Sequence, residues 1–440
     1  MAWQPFAANM SKYHKFLVIL STAVFFSNFP EWNAQFTKLP SPIHWVMGIY
    51  VLALPILFRT LRKSDVLRSP VMLWAFGFIW FTMAWFLLFG QNDMAWQEIQ
   101  WRIHGLLIIC GVLILLWDPD AVRVSRYTVA AGVLFGVAIN VYDFFVPMSF
   151  SKLPGRSAGL YGDPNFSAES LVLGMLVSIT ALPAWWRGSF MLTTGIGVCL
   201  TISRSGILAW VCVCGVLILL NKVRMKGLLM TVALGLVLII VVLLPMGDQL
   251  LTELERKGVI NKNLVERLDW FADPTGVSDH SSWERKRVAR EAWEKVAERP
   301  WTGSGPGSSR TAIVGTHNQY LAHMRDHGLL GAGIVPLLLL ALSWRAQGET
   351  KQLALLFGCV VMWQCFFSHT ILDQAPRLSL FGLMGAFAWA SRSYAFTQAQ
   401  SLHAGNGMAP RAWSESANHP FSGPKGLMKP TRWWKGSCES

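Results

Sequence analysis

The residues best suited to chemistry are one histidine and a few arginines. His317, followed by Asn318, stands where a polar stretch gives way to an apolar one. Imidazole titrates nearest neutral pH and can take a proton from a hydroxyl, which makes His317 the best general-base candidate. Arg204 lies in TISRSG (201–206), between two apolar runs. A cation at that depth is costly and usually faces a cavity or a partner, and a guanidinium grips phosphate with two parallel hydrogen bonds. Snorkelling to lipid headgroups is the plainer alternative. The hydroxyl and glycine neighbours of Arg204 favour function there, whereas for Arg156, in PGRSAGLYGDPN (154–165), the two readings balance. Arg267, Arg285, Arg287 and Arg290 could extend an anion site, although a charged helix face is usually only solvated.

A base beside several guanidiniums suits transfer of a group from a phosphate-activated donor to a hydroxyl. Pyrophosphate is a good leaving group once its charge is held, so no acid carboxylate pair, nucleotide or cofactor is called for. The other candidates are weaker. The turn from Gly303 to Gly307 could offer backbone N–H groups to phosphate, but it lacks the strand and the spacing of a dinucleotide loop. His323, Asp326 and His327 lack the arrangement of a zinc site, and no metal is expected. Asp118 and Asp120 read as a helix cap rather than as a metal-binding pair.

These residues are set in a chain made for lipid. Of 440 residues, 53% are hydrophobic and 14% charged, which excludes an ordinary soluble domain, where about a quarter are charged. Crossing about 30 Å of hydrocarbon takes about 20 apolar residues. Spans are expected near 14–30, 43–58, 70–90, 101–117, 126–147, 166–183, 189–203, 205–221, 227–246, 328–345, 352–369 and 377–392. The expected architecture is therefore all-α and integral to the membrane, with about 12 transmembrane helices. Residues 1–246 hold nine of them, 247–327 form a large helical loop, 328–392 hold three, and 393–440, rich in Gly, Pro, Ser and basic residues, form a disordered tail.

The net charge of +13 does not point to nucleic acid. The loop 247–327 balances 12 basic against 12 acidic residues, so the surplus lies in short turns between spans. With the N-terminus in the cytoplasm, inner segments collect 20 basic residues and the outer short loops six. Both termini are then cytoplasmic and the large loop faces the opposite side. Within that loop, Val288, Ala289, Ala292, Trp293, Val296 and Ala297 mark one stripe of an amphipathic helix ended by Pro300. Six of the seven cysteines lie in apolar segments and the seventh in the tail, so no disulfide framework is expected.

Four stretches in order, GLYGDPN (159–165), TISRSG (201–206), the Arg285 helix ending in RPWTGSGPG (299–307), and HNQYLAHMRDHGLLG (317–331), resemble the O-antigen ligase and polymerase superfamily of Wzy-C membrane glycosyltransferases. The resemblance implies a bacterial inner-membrane enzyme of GT-C-like architecture, acting on the periplasmic face. Its donor would be a glycan on undecaprenyl pyrophosphate and, in a ligase, its acceptor lipid A-core. The family's histidine matches His317, with Asn318 beside it; its membrane-edge arginine matches Arg204, its loop arginine Arg285, and Arg156 matches more loosely. Asp326 stands where Glu is more usual. By this resemblance His317 is the base of a metal-independent, inverting transfer, and Arg204, Arg285, Arg156 and Arg267 hold the pyrophosphate. O-antigen polymerases and protein O-oligosaccharyltransferases share these parts, and the single late loop favours a ligase. A polyisoprenoid-linked glycan transporter should instead show internal repeat symmetry, and none is visible.

Overall fold

Helix starts are written into the sequence as a serine or aspartate followed by proline. Proline's fixed φ suits the first helical turn, and the preceding side chain can satisfy an amide left over there. Ser41-Pro42, Ser69-Pro70, Asp118-Pro119 and Asp163-Pro164 each open a helix. Ser69 accepts from the Met72 amide, Asp118 from Asp120, and Asp163 from both Asn165 and Phe166. The expected capping role of Asp118 is what the structure gives it.

The computed structural model describes residues 10–37, 40–90, 93–153, 155–225, 280–311 and 315–405, with scattered positions between 227 and 265. Among the described residues there is no strand. The helices are α1 (Lys12–Phe26), α2 (Phe29–Phe36), α3 (Pro42–Leu61), α4 (Ser64–Leu67), α5 (Pro70–Phe89), α6 (Ala95–Leu115), α7 (Pro119–Phe145), α8 (Pro164–Ser178), α9 (Arg187–Leu200), α10 (Arg204–Leu219), α11 (His280–Glu298), α12 (Gln319–His327), α13 (Ile334–Ser343), α14 (Gly348–Gln364) and α15 (Ala375–Gly405). Met1–Arg392 cluster as one compact unit and Ser393–Ser440 as another.

Among the described residues, five helical segments are long and apolar enough to cross a membrane: Pro42–Leu61, Pro70–Phe89, Ala95–Leu115, Pro119–Phe145 and Gln319–Ser343. Helices also form at the other expected spans, but α1, α8, α9, α10 and α14 have only 14 to 17 residues. The first expected span stops early because Asn28 turns left-handed (φ 60°), donates to the Leu160 carbonyl at 3.1 Å, and lets Pro30 start α2. The tenth is continuous only through a 3-10 segment, Gly328–Gly333, between α12 and α13. A Cβ at Gly331 would lie 2.1 Å from the His323 carbonyl oxygen, so glycine permits that close approach. The expected span 227–246 lies almost wholly outside the described residues. The expected disordered tail lies outside them from residue 406, and α15 runs on to Gly405.

Turns expected on the same side meet one another. At one end, Arg187 donates to the Lys222 carbonyl at 3.0 Å, and Trp117 stacks on Trp389. At the other end, the Ser157 amide bonds the Leu200 carbonyl and Trp85 Nε1 bonds the Thr302 carbonyl. α8 runs between these ends with almost every side chain buried. Three basic residues counted as loop charges are instead buried inside helices: Arg102 in α6, Arg126 in α7 and Arg377 in α15. Each has a buried role, since Arg126 donates to Val177 O and Thr180 Oγ1, and the other two pair with carboxylates.

Candidate functional site

The polar groups gather where the α7–α8, α9–α10, α11–α12 and α14–α15 connections meet. Asp143 anchors the first of these. Its two carboxylate oxygens accept the amides of Phe150, Ser151, Ala158 and Gly159, at 2.7 to 3.2 Å, and so fold the segment that carries Arg156. Arg156 is buried; its Nε donates to Thr201 O at 3.0 Å and its guanidinium to Asn165 Oδ1 at 3.1 Å. The same Asn165 oxygen accepts from Ser203 Oγ at 2.9 Å. One amide side chain thus ties PGRS, GDPN and TISRSG together.

Ser203 also caps α10 through Gly206 N, which makes Arg204 the first residue of that helix. The turn before it is strained, because Ile202 holds φ 50°, a region β-branched residues avoid. Asp163, exposed at the start of α8, adds a carboxylate next to this group.

His317 stands in the α11–α12 connection, within electrostatic reach of Asp163. It holds φ 48° and is half-buried, and the next residue, Asn318, caps α12 by accepting from the Leu321 amide at 3.1 Å. Asn318 thus fixes where the helix starts and the histidine ends. Burial, helped by the positive charge of Arg285, lowers the His317 pKa, and the carboxylates of Asp163 and Glu284 oppose them. Arg285 and Asp163 therefore both act on the imidazole electrostatically, one from α11 and the other from the start of α8. A lowered pKa keeps the ring neutral near pH 7, the form a proton acceptor needs.

The loop after α14 adds a second histidine that sequence reasoning missed. His369 meets His317 edge to face, with 5.5 Å between ring centroids. Burial pushes its pKa down to about 4. A Cβ at Gly315 would lie 2.4 Å from the His369 ring, so the chain entering His317 passes directly over it.

A four-charge cluster braces this end. Arg310 donates to Glu98 at 2.5 Å and to Asp373 at 2.7 Å, while Arg102 pairs with both carboxylates. Burial works against the Arg310 charge, but Asp373 and Glu98 outweigh it and hold its pKa above the ordinary guanidinium value. Arg377 pairs with Glu169 deep beside it. Only Glu98 and Arg102 are linked by helical spacing, four residues apart on α6; the other partners are joined by the tertiary fold.

The other candidates take structural roles. Asp326 accepts from Ser308 Oγ, Ser309 N and Ser309 Oγ, and so clamps the glycine turn to α12. In that turn the Gly303 and Ser304 amides bond Arg299 O and Arg325 O, and Cβ atoms at Gly303 and Gly307 would run into backbone. Its glycines serve close packing. His323 is buried with Nε2 2.9 Å from Gln319 Nε2. On α11, Val288, Ala292 and Val296 are buried as expected, whereas Trp293 and Ala297 are exposed. Arg287 pairs with Glu291 on the helix surface. Arg267 lies outside the described residues. Among the described residues, no group of three or more His, Cys, Asp or Glu is placed to share a metal ion.

Residues 189–336 match the family model described as O-antigen ligase, Wzy_C, and that stretch holds Arg204, Arg285 and His317. No curated protein matches the chain.

Proposed function

We propose, on the match of residues 189–336 to the O-antigen ligase (Wzy_C) family model, that this chain is a member of that superfamily and transfers a glycan from undecaprenyl pyrophosphate to a hydroxyl of lipid A-core, at the periplasmic face of a bacterial inner membrane. The observation that carries this reading is that Arg285 from α11 and Asp163 from the start of α8 both act electrostatically on His317, while Asn165, two residues after Asp163, joins Arg156 to Ser203, the residue before Arg204. The proposal includes the full set of about twelve crossings, a GT-C-like arrangement and cytoplasmic termini.

In the proposed reaction, neutral His317 accepts the proton of the acceptor hydroxyl. The hydroxyl oxygen bonds the anomeric carbon as the bond from that carbon to the pyrophosphate oxygen breaks. The electron pair leaves with undecaprenyl pyrophosphate, and in-line attack inverts the anomeric centre. Arg204 and Arg285 hold the charge that grows on the leaving group, with Arg156 setting the turn that carries it and Arg267 adding its charge to the same anion. A positioned base contributes about 10²- to 10⁴-fold and aimed charge about 10²- to 10³-fold, so two arginines and one histidine can supply several kcal/mol without a metal. Asn318 serves by holding His317 at the mouth of α12.

A lipopolysaccharide ladder from a strain lacking this protein tests the reading. Bare core with lipid-linked glycan accumulating is expected. Core capped with a single repeat would identify a polymerase, and an unchanged ladder would reject both.

A further inference from the structure

Away from this site, α5 and α13 enclose an open groove of about 720 Å³. Leu73, Gly77 and Phe78 form one wall, Leu337 and Leu340 the other. Trp74 Nε1 donates to Ile334 O at 3.1 Å and ties the two helices at its floor, so the groove is preformed. Nothing lies within 4 Å of a Cβ built at Gly77, which leaves the middle open. The charged residues lining it are Arg68, at the start of α5, and Arg345, just past α13. Both lie at the same end, and neither meets a carboxylate among the described residues. Trp344 beside them is 69% exposed, as an interfacial tryptophan is. From Pro70 to Phe81 the helix rises about 17 Å at 1.5 Å per residue, about one leaflet of a hydrocarbon core about 30 Å thick.

We infer that this groove is a binding site for one anionic glycerophospholipid, with its phosphate between Arg68 and Arg345 and an acyl chain along the α5–α13 wall. Charge at one end only, joined to an apolar trough one leaflet long, matches a lipid with one anionic headgroup. By the distribution of basic residues that end is cytoplasmic, so the site lies in the opposite leaflet from the glycan chemistry. A surface arginine that merely snorkels would need no trough.

Native mass spectrometry of the full chain in detergent tests this, using phosphatidylglycerol and phosphatidylcholine with identical acyl chains. One phosphatidylglycerol should be retained per chain, at least about tenfold in preference to phosphatidylcholine, whose phosphate carries a choline cation that two arginines repel. Two variants that remain monodisperse should each weaken retention about tenfold for different reasons. The double variant Arg68→Ala/Arg345→Ala removes the charge, and Gly77→Leu fills the trough with both arginines kept. Equal retention of the two lipids, or undiminished retention in Gly77→Leu, overturns the site. Displacement of phosphatidylglycerol by an equimolar polyprenyl phosphate would assign the groove to the donor lipid and overturn it equally.

Discussion

The rings of His317 and His369 stand at 85° to one another with their centroids 5.5 Å apart, one from the start of α12 and the other from the loop after α14. Edge-to-face packing orients an imidazole without charging it, and His369, held down to about 4, stays neutral at working pH. His369→Ala should free the His317 ring and lower turnover about tenfold, short of the about 10²- to 10⁴-fold loss from removing a base. His369→Phe, which restores a ring, should recover most of it. Equal losses in His369→Ala and His369→Phe would refute the positioning role.

The acid limb of the pH–rate profile should lie below the ordinary imidazole value of about 6.5, since burial and Arg285 lower the His317 pKa. A base with a lowered pKa stays active as pH falls, until the pH passes through that lowered value. Arg285→Ala removes a positive neighbour, so protonation becomes easier and the limb should move to higher pH. An unmoved limb would mean that Arg285 does not act on the titrating group.

How much of this was legible in the sequence depends on how local each feature is. Proline after serine or aspartate marks helix starts within two residues, so α3, α5, α7 and α8 begin where the pattern puts them. The apolar Val288, Ala292 and Val296 repeat is equally local, and it is buried as expected. His317 and Arg204 stand out because they are polar groups beside apolar runs. His369 and Asp373 follow a span as any loop residues do, and nothing near them signals that one meets His317 and the other Arg310. Arg377 and Arg102 read as loop charges because their long-range partners, Glu169 and Asp373, are not visible in the sequence, although Glu98 stands at helical i,i+4 spacing from Arg102. That Asn318 caps α12 and Asp326 clamps the glycine turn is likewise seen only in the fold.

Asn165 should couple the two arginine motifs. Asn165→Leu leaves Arg156 and Ser203 without their shared acceptor, and losing a hydrogen bond to a charged group in a buried place costs about 1.5–3 kcal/mol. Donor affinity should fall in Asn165→Leu and be largely kept in Asn165→Asp, which preserves the acceptor. Unchanged donor binding in Asn165→Leu would separate Arg156 from the site.

The Glu98, Arg102, Arg310 and Asp373 cluster should be a stability element. Removing one partner of a buried pair strands the others and costs about 3–5 kcal/mol. A fifth of the Arg310 side chain is exposed, so Arg310→Ala should lose about 3 kcal/mol, the low end, as a drop in thermal midpoint in detergent. Arg310→Lys should not restore it, because one ammonium cannot span both carboxylates.

Transfer by purified protein, with lipid-linked glycan and a lipid A-core acceptor in the presence of excess chelator, tests the central claim most directly. Wild type should form glycosylated core, and His323→Ala, corrected for its folded fraction, should do so as well, since His323 is a packed residue. His317→Ala should fold and bind donor yet leave the glycan on its carrier, with turnover down about 10²- to 10⁴-fold. Turnover in His317→Ala above about a tenth of wild type, well outside the loss expected for a base, would contradict the account.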